Sequence, residues 1–392
     1  MDTSRGRGHR KLVLPFVLVV ALIGAAFASQ AQAAVQPGQV KVMTRNLYLG
    51  ADLNRALDDT NTNELAIDAQ IILSIVEQTD FPDRAKLLAA EIAKQKPDLV
   101  GLQEVALWRR DIVAPLADGP VTPATKVDYD FLRLLTDQLE KQGADYRIVR
   151  VAREADVEVP AASACGGNPC DGRLTMRDVI LARNHAGVHT KLEDSDHYNR
   201  QLVIEDIAGT PLDISFSRGW LYTQANVRGT KFRFLDTHLE SADPTGTIRQ
   251  DQATELTQPW TVDHPAGPAT TQSNGRPVVA VGDFNTDDDT VSGNDTLGYQ
   301  ALIGGGLTEL STGPTAPDAA NSCCFKSETI NDPPPAALAD LDHQVDHVFV
   351  TGDDADPVAT HVVGNDPAEF DPFNIWPSDH AGLVTKMQFP TP

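Results

Sequence analysis

The stretch Pro277-Val-Val-Ala-Val-Gly-Asp-Phe-Asn285 joins a run of small β-branched residues to a glycine, an acid and an amide. The run reads as a buried strand, Val278 to Val281, with Gly-Asp-Phe-Asn at its exit. Asp283 and Asn285 are two residues apart, so in an extended chain they share a side. An acid and an amide there can grip a metal, a water or a phosphate oxygen, and Gly282 reads as room for a ligand to approach. Taken alone, the same residues describe a strand followed by an Asx-type turn. The rest of the chain decides between these readings.

Strands and helices alternate outward from this stretch. Val40 to Leu47 and Pro97 to Glu104 read as strands, as do Tyr146 to Val151, Asp178 to Ala182, Leu221 to Val227, Lys231 to His238, Val345 to Val350 and Leu383 to Met387. Helical signatures cover Asn63 to Gln78, Asp83 to Gln95, Tyr129 to Gln142 and Thr247 to Leu256. The regions 156–173, 260–276 and 311–340 are rich in Pro, Gly, Ala and polar residues and read as surface loops. Buried runs mixed with alternating ones predict an α/β fold with a mixed sheet or a pair of sheets.

Several strands end in the same chemical vocabulary. Asn46 closes one strand and Glu104 another; Asp236 and His238 lie on one face of a third; Asp346 interrupts an apolar strand; Asp379 and His380 precede the last. Each has a plain explanation of its own: a cap, a core histidine, a turn. With Asp283 and Asn285 these make six such endings in one chain, and they point to a shared site, because ligand sites in these folds collect at strand ends and buried polar groups must be paired or coordinated. Oxygen donors with two or three acids suit magnesium or manganese better than zinc.

The N-terminus has its own signature. Arg5, Arg7, Arg10 and Lys11 precede an apolar stretch from Leu12 to Phe27, and Ala31-Gln-Ala33 fits a small-residue cleavage site. Residues 1–33 therefore read as a secretory signal peptide and 34–392 as one exported, catalytic domain. No later segment is apolar enough to span a bilayer, and no feature points to a protein partner. A net charge of −23 argues against a broad basic nucleic-acid clamp, though not against an enzyme that meets phosphates through metal ions. Asp287-Asp288-Asp289 and Asp353-Asp354 read as solvated loop acids, with a structural calcium kept as a further cofactor beside magnesium or manganese. The four cysteines suggest disulfides in an exported chain. Cys165 and Cys170 read as a small self-closed loop; Cys323 and Cys324 are then a vicinal disulfide or two free thiols.

The ordered series Asn46, Leu-Gln-Glu104, Thr-His238-Leu, Gly-Asp283-Phe-Asn285, Val-Asp346-His and Ser-Asp379-His380 resembles the endonuclease/exonuclease/phosphatase superfamily. Arg249, Gln252 and Glu255 are similar to the helix that follows its histidine strand. The resemblance implies a four-layer sandwich of two packed mixed β-sheets flanked by helices. It implies Glu104 as the main metal ligand, with Asn46 and Asp379 near the same ion. Asp283 would orient or deprotonate water, Asn285 hold phosphate, His238 stabilise the transition state or assist the leaving group, and His380, steered by Asp346, act as general acid/base. Cys165 to Cys170 followed by Arg177-Asp178 resembles the secreted deoxyribonuclease branch, which makes Arg177 a candidate phosphate contact beside the alternative of a surface arginine paired with Asp178. Gln344 departs from the family's basic residue before the late aspartate.

The function expected is therefore secreted, divalent-metal-dependent hydrolysis of phosphodiesters, in nucleic acid first. A phospholipid or sphingomyelin phosphodiesterase and a phosphomonoesterase are the alternatives within the superfamily. Phe370, Phe373, Ile375 and Trp376 are the only residues suggesting a membrane-contact hairpin. A non-catalytic binding protein on the same fold is the alternative of another class; the full set of acids and histidines speaks against it.

Overall fold

A computed structural model describes residues 38–57, 61–112, 123–207, 210–258, 267–271, 275–288, 296–311, 321–325, 337–367 and 375–390. Residues 1–33, read above as a leader, and Phe370 and Phe373 lie outside the described residues. In chain order the strands are β1 (Gln39–Asn46), β2 (Leu99–Gln103), β3 (Leu107–Asp111), β4 (Val127–Asp130), β5 (Tyr146–Cys165), β6 (Asn168–Arg183), β7 (Val188–His197), β8 (Leu202–Ile207), β9 (Thr210–Phe216), β10 (Gly219–Val227), β11 (Thr230–His238), β12 (Val278–Asp283), β13 (Leu307–Glu309), β14 (Asp346–Thr351), β15 (Asp356–Val363) and β16 (Gly382–Gln388). The helices are α1 (Asn54–Leu57), α2 (Thr62–Gln78), α3 (Phe81–Gln95), α4 (Phe131–Lys141), α5 (Thr247–Thr257) and α6 (Thr296–Gly304).

Two mixed sheets result. One runs β15-β16-β1-β2-β6-β3-β4 with β5 also paired to β6; the other runs β13-β14-β12-β11-β10-β7, and β8 and β9 form a separate ribbon. Their inner faces meet through Val40, Val42, Leu99, Ile180, Phe232, Phe234, Val279, Val281, Val348 and Val350. Ile72, Leu88, Ile92, Phe131 and Leu135 of α2, α3 and α4 cover the outside of the first sheet. Ala253, Leu256 and Leu302 of α5 and α6 cover the second, against Val278, Ala280 and Phe349. This is the four-layer α/β sandwich expected.

Helix starts follow local chemistry. The Asn61 side chain accepts from the backbone N–H groups of Asn63 and Glu64, Asp80 caps α3 ahead of Pro82, and Asp130 caps α4. Helix α4 begins two residues later than its periodicity predicts, because Val127–Asp130 pairs with β3 instead. The larger correction is region 156–173, read from its Pro, Gly and Ala content as a loop. It is the outer half of the long β5–β6 hairpin, turned at Gly166 and Gly167 (φ +64° and +86°). Its small side chains pack on α2, where Ala161 and Leu174 meet the cluster containing Ile72 and Leu73. At the hairpin tip Cys165 and Cys170 face each other with Cα atoms 5.9 Å apart and a χ3 of 88°, the span a disulfide takes. Among the described residues, no helix is long and apolar enough to cross a membrane.

One buried pair away from the site gives the fold a pH dependence. Burial opposes charge on His347, but the Glu309 carboxylate, 2.6 Å from Nδ1, outweighs it and raises the imidazole to about 9. A folded value above the ordinary 6.5 means that this stabilisation is complete below about pH 6.5 and is lost as pH rises through about 9. The loss is on the order of 3 kcal/mol. Urea midpoints measured across that interval should fall for the wild type, and the fall should flatten in Glu309→Gln; an equal fall in both would refute the assignment.

Candidate active site

The site arises from the period of the strands. Along β1 the inward positions read Val40, Val42, Thr44, Asn46; along β11 they read Phe232, Phe234, Asp236, His238; along β12 they read Val279, Val281, Asp283. Side chains two residues apart share a face, so each strand carries its apolar inner stripe forward into a polar end. Parallel pairing aligns Asn46 with Gln103 and His238 with Asp283, and antiparallel pairing sets Asp346 opposite Asp283. The polar ends therefore converge at one edge of the inter-sheet layer. There they form a cleft of about 670 Å³, bordered by Glu104, Arg218, His238, Asp283, Asp379 and His380.

Asp283 is the hub. Its Oδ2 accepts from Asn46 Nδ2 at 3.0 Å and lies 3.5 Å from His238 Nε2 and 3.7 Å from His380 Nε2. Its Oδ1 accepts from the backbone N–H of Asn285 at 3.0 Å, the Asx geometry that the sequence suggests. Burial pushes its carboxyl up to about 6, with the His380 charge opposing and Asp346 adding. Asn285 adopts a left-handed conformation (φ +47°) and donates through Nδ2 to Leu239 O while still bordering the cleft.

The two histidines are held in opposite states. His380 Nδ1 lies 2.8 Å from Asp346 Oδ2; burial disfavours its charge, but Asp346 and Asp283 raise it well above the usual imidazole range. His238 is pushed well below that range by burial, with Arg218 and His380 adding. Arg218 Nη1 sits 3.0 and 3.2 Å from the two ring nitrogens of His238, and its Nη2 reaches Glu240 at 3.4 Å and Ser241 at 3.2 Å. Gln344 donates through Nε2 to Glu309, Ser311 and the Asp346 carbonyl, and thereby fixes the strand that carries Asp346 without a basic residue.

Glu104 and Asp379 share the wall of the cleft. Glu104 sits at a left-handed position (φ +55°), and its Oε2 accepts from Leu49 N–H at 2.6 Å. Withdrawal from water, opposed by the His380 charge and reinforced by Glu104, pushes Asp379 up to about 7. Two crowded carboxylates of this kind suit a hard divalent cation with oxygen ligands. Asn46 Oδ1 accepts from Tyr48 N–H at 2.8 Å while its amide donates to Asp283, leaving one lone pair free for an ion.

Three expectations change. Arg177 does not border the cleft: it donates to the carbonyls of Val105 and Ala106 and pairs with Asp130 at 2.7 Å, so it is neither a phosphate contact nor a partner of Asp178. The buried arginine on the cleft wall is Arg218, whose neighbour Gly219 lies opposite His238 in the antiparallel register. Gly282 (φ +155°) faces the Thr237 carbonyl of β11 rather than a ligand, and a Cβ there would collide with that backbone. Ile375 and Trp376 are buried against Tyr48 and Phe325 and offer no exposed hairpin.

Sequence reading also misses two buried arginines that frame the site. Arg45 pairs with Glu91 through Nε and Nη2 (3.0 and 3.1 Å), and its Nη1 donates to the His380 carbonyl. Arg84 donates to the carbonyls of Thr79, Leu47, Tyr48 and Pro377, tying the segment after β1 to the segment before Asp379. Behind the site, burial raises three inward carboxyls: Asp178 to about 8, and Glu154 and Asp236 well above their ordinary range. Among the described residues, the group of cysteines, histidines and acids close enough to share an ion is Cys323, Cys324 and His380, and the described Asp287, Asp288, Asp353 and Asp354 belong to no such group.

No curated protein matches the chain. Several solved structures do. An endonuclease/exonuclease/phosphatase family protein from Bacteroides thetaiotaomicron is 15% identical, with 91% of this chain and 100% of that one covered at a TM-score of 0.52. A mannosyl-6-phosphatase of Bacteroides thetaiotaomicron is 15% identical, with 89% and 100% covered at 0.51. A Bacteroides vulgatus endonuclease/exonuclease/phosphatase is 14% identical, with 90% and 99% covered at 0.50. At these identities the likeness is one of fold. The model of the Endonuclease/Exonuclease/phosphatase family matches residues 61–380, which include every residue bordering the cleft except those between Tyr48 and Leu57. With that match over most of its length, the chain belongs to the endonuclease/exonuclease/phosphatase family, a family of phosphoester hydrolases.

Proposed function

We propose that the chain is an exported, divalent-metal-dependent phosphodiesterase, with residues 34–392 as its catalytic domain and polynucleotide as its first substrate class. The observation that carries the reading is the meeting of Asn46, His238 and His380 on one oxygen of Asp283, beside Glu104, Asp379 and Arg218. Glu104 and Asp379, with the free lone pair of Asn46 Oδ1, would hold magnesium or manganese, which supplies Lewis-acid neutralisation of phosphoryl charge.

The remaining work falls to side chains. Asp283 Oδ2 takes the proton of the attacking water as its oxygen bonds to phosphorus; Asn46 keeps that carboxylate aimed. His380, held as the imidazolium by Asp346, gives its Nε2 proton to the leaving oxygen as the phosphorus–oxygen bond breaks. His238 and Arg218 hydrogen-bond the non-bridging oxygens, where charge shifts in the transition state. Asn285 orients the phosphate from the other side. In an oxidising compartment Cys165–Cys170 closes the hairpin tip as a disulfide.

A second reading has its own observation. An apolar trough lined by Leu57, Leu73, Trp108, Val159, Leu174 and Phe216 shares Leu53, Leu57 and Phe216 with the cleft. The trough encloses about 70 Å³, room for the first few methylenes of an acyl chain whose phosphodiester headgroup sat at Asp283. The phosphomonoester alternative has a fold relative behind it, the mannosyl-6-phosphatase.

Plasmid DNA, RNA, sphingomyelin vesicles, bis-p-nitrophenyl phosphate and mannose 6-phosphate, each with magnesium and with EDTA, separate these readings. Polynucleotide cleavage that EDTA abolishes is expected. Turnover of lipid without DNA or RNA moves the assignment to the trough, and turnover of the monoester alone overturns the phosphodiesterase reading.

A further inference from the structure

A cluster of soft donors lies against the catalytic histidine. The segment Ser322–Phe325 is stitched to the segment that carries His380: Ala381 N–H donates to Ser322 O, and Phe325 N–H donates to Asp379 O, both at 2.7 Å. Asp342 N–H donates to Cys323 O at 3.0 Å on the other side. These bonds lay both cysteines on the imidazole, with Cys324 Sγ 3.6 Å and Cys323 Sγ 3.9 Å from Nε2. The two sulfurs and Nε2 all lie within 4.8 Å of one another, and Cys324 borders the cleft.

The pair has two chemical states. Joined as a disulfide, the sulfurs carry neither proton nor charge, and Nε2 is left to the substrate. A phosphine supplies the two electrons that break the sulfur–sulfur bond and becomes its oxide, while water gives that oxygen and the two protons of the resulting thiols; a dithiol supplies both electrons and protons and becomes a disulfide. A soft or borderline cation then displaces both thiol protons and the Nε2 proton to solvent, leaving two thiolates and one imidazole nitrogen as ligands. Metal-bound histidines usually donate their other ring N–H to a carboxylate. Here Nδ1 already lies 2.8 Å from Asp346, so the ring is oriented for Nε2 ligation.

We propose that reduced Cys323 and Cys324, with His380, form a thiolate–imidazole site for a soft or borderline divalent cation such as zinc or cadmium. It is separate from the oxygen-only set of Glu104 and Asp379, and filling it withdraws His380 from the cleft's chemistry. Reduction of the vicinal pair thereby arms an inhibitory metal site.

The test uses the full chain, oxidised or reduced with a phosphine, titrated with cadmium in excess magnesium. The readout is the ultraviolet thiolate-to-cadmium absorbance, which carboxylate ligands do not produce. The reduced wild type should develop this absorbance, to a single equivalent once Cys165→Ser with Cys170→Ser removes the other reducible pair, and reoxidation should erase it. Cys165→Ser with Cys170→Ser should retain it; Cys323→Ser with Cys324→Ser should lose it. Asp346→Asn should weaken binding by about 10–100-fold, the usual cost of removing a carboxylate behind a ligating histidine. No absorbance in the reduced wild type overturns the site, as does an undiminished signal in the Cys323→Ser, Cys324→Ser variant. Bis-p-nitrophenyl phosphate turnover should fall with cadmium only in the reduced protein. Full turnover by protein whose site is filled overturns the inhibitory role. The absorbance does not depend on turnover, so failure of the proposed activity leaves the site itself decided.

Discussion

Asp283→Asn is expected to lower kcat for phosphodiester hydrolysis on the order of 10³-fold, with little change in KM. The substitution keeps the shape of the side chain. It preserves an oxygen for the Asn285 N–H at 3.0 Å, and the strand around it is buried on both faces. What it removes is proton affinity at the position where Asn46, His238 and His380 converge within 3.0 to 3.7 Å. An amide cannot take the water's proton, and its NH₂ would confront donors that now face an acceptor. Stability should fall as well, because buried donors of Asn46 and His380 then lose their acceptor. Steady-state kinetics beside a urea melt separates the two effects. A loss of less than about tenfold, below the usual range for general acid–base catalysis, would remove Asp283 from proton transfer.

Arg84→Met is expected to cost about 3–5 kcal/mol of stability, the range for stripping one partner from a buried charged network. The guanidinium is fully buried and donates to four backbone carbonyls, those of Thr79, Leu47, Tyr48 and Pro377, at 2.6 to 3.3 Å. It also lies over the rings of Phe81 and Tyr48, 4.9 and 5.2 Å from their centroids. Methionine fills part of the volume but leaves those carbonyls without a donor. Leu47 and Tyr48 follow Asn46, and Pro377 precedes Asp379, so surviving activity should also require more magnesium. A urea unfolding shift under about 1 kcal/mol, the scale of an exposed pair, would refute this role.

The legible part of the fold was its periodicity. Apolar runs ending in Asn46, Glu104, His238 and Asp283, with the one that Asp346 interrupts, located both the central strands and their polar edge, because a period of two fixes which residues share a face. Content-based reading failed at 156–173, where Ala, Gly and Pro serve a hairpin that packs closely on α2. Arg177 and Arg218 show a second limit. Arg177 lies within β6 and Arg218 just before β10, and only the register, which sets Gly219 opposite His238, tells which arginine reaches the cleft. Gly282 shows a third: a glycine that looks like space for a ligand is required by the neighbouring strand's carbonyl. Arg45 and Arg84 carry no local pattern, since their partners lie up to 335 and 293 residues away.

The central claim is that Glu104 and Asp379 hold a divalent cation at the edge where Asp283 and the two histidines act on a phosphoester. Its most direct test is the magnesium dependence of bis-p-nitrophenyl phosphate turnover, measured for the wild type and for Glu104→Ala. The account predicts saturable activation of the wild type that EDTA abolishes, and a magnesium requirement raised beyond reach in the variant although it remains folded. Turnover that persists in EDTA, or a variant with the wild-type magnesium curve, would contradict it.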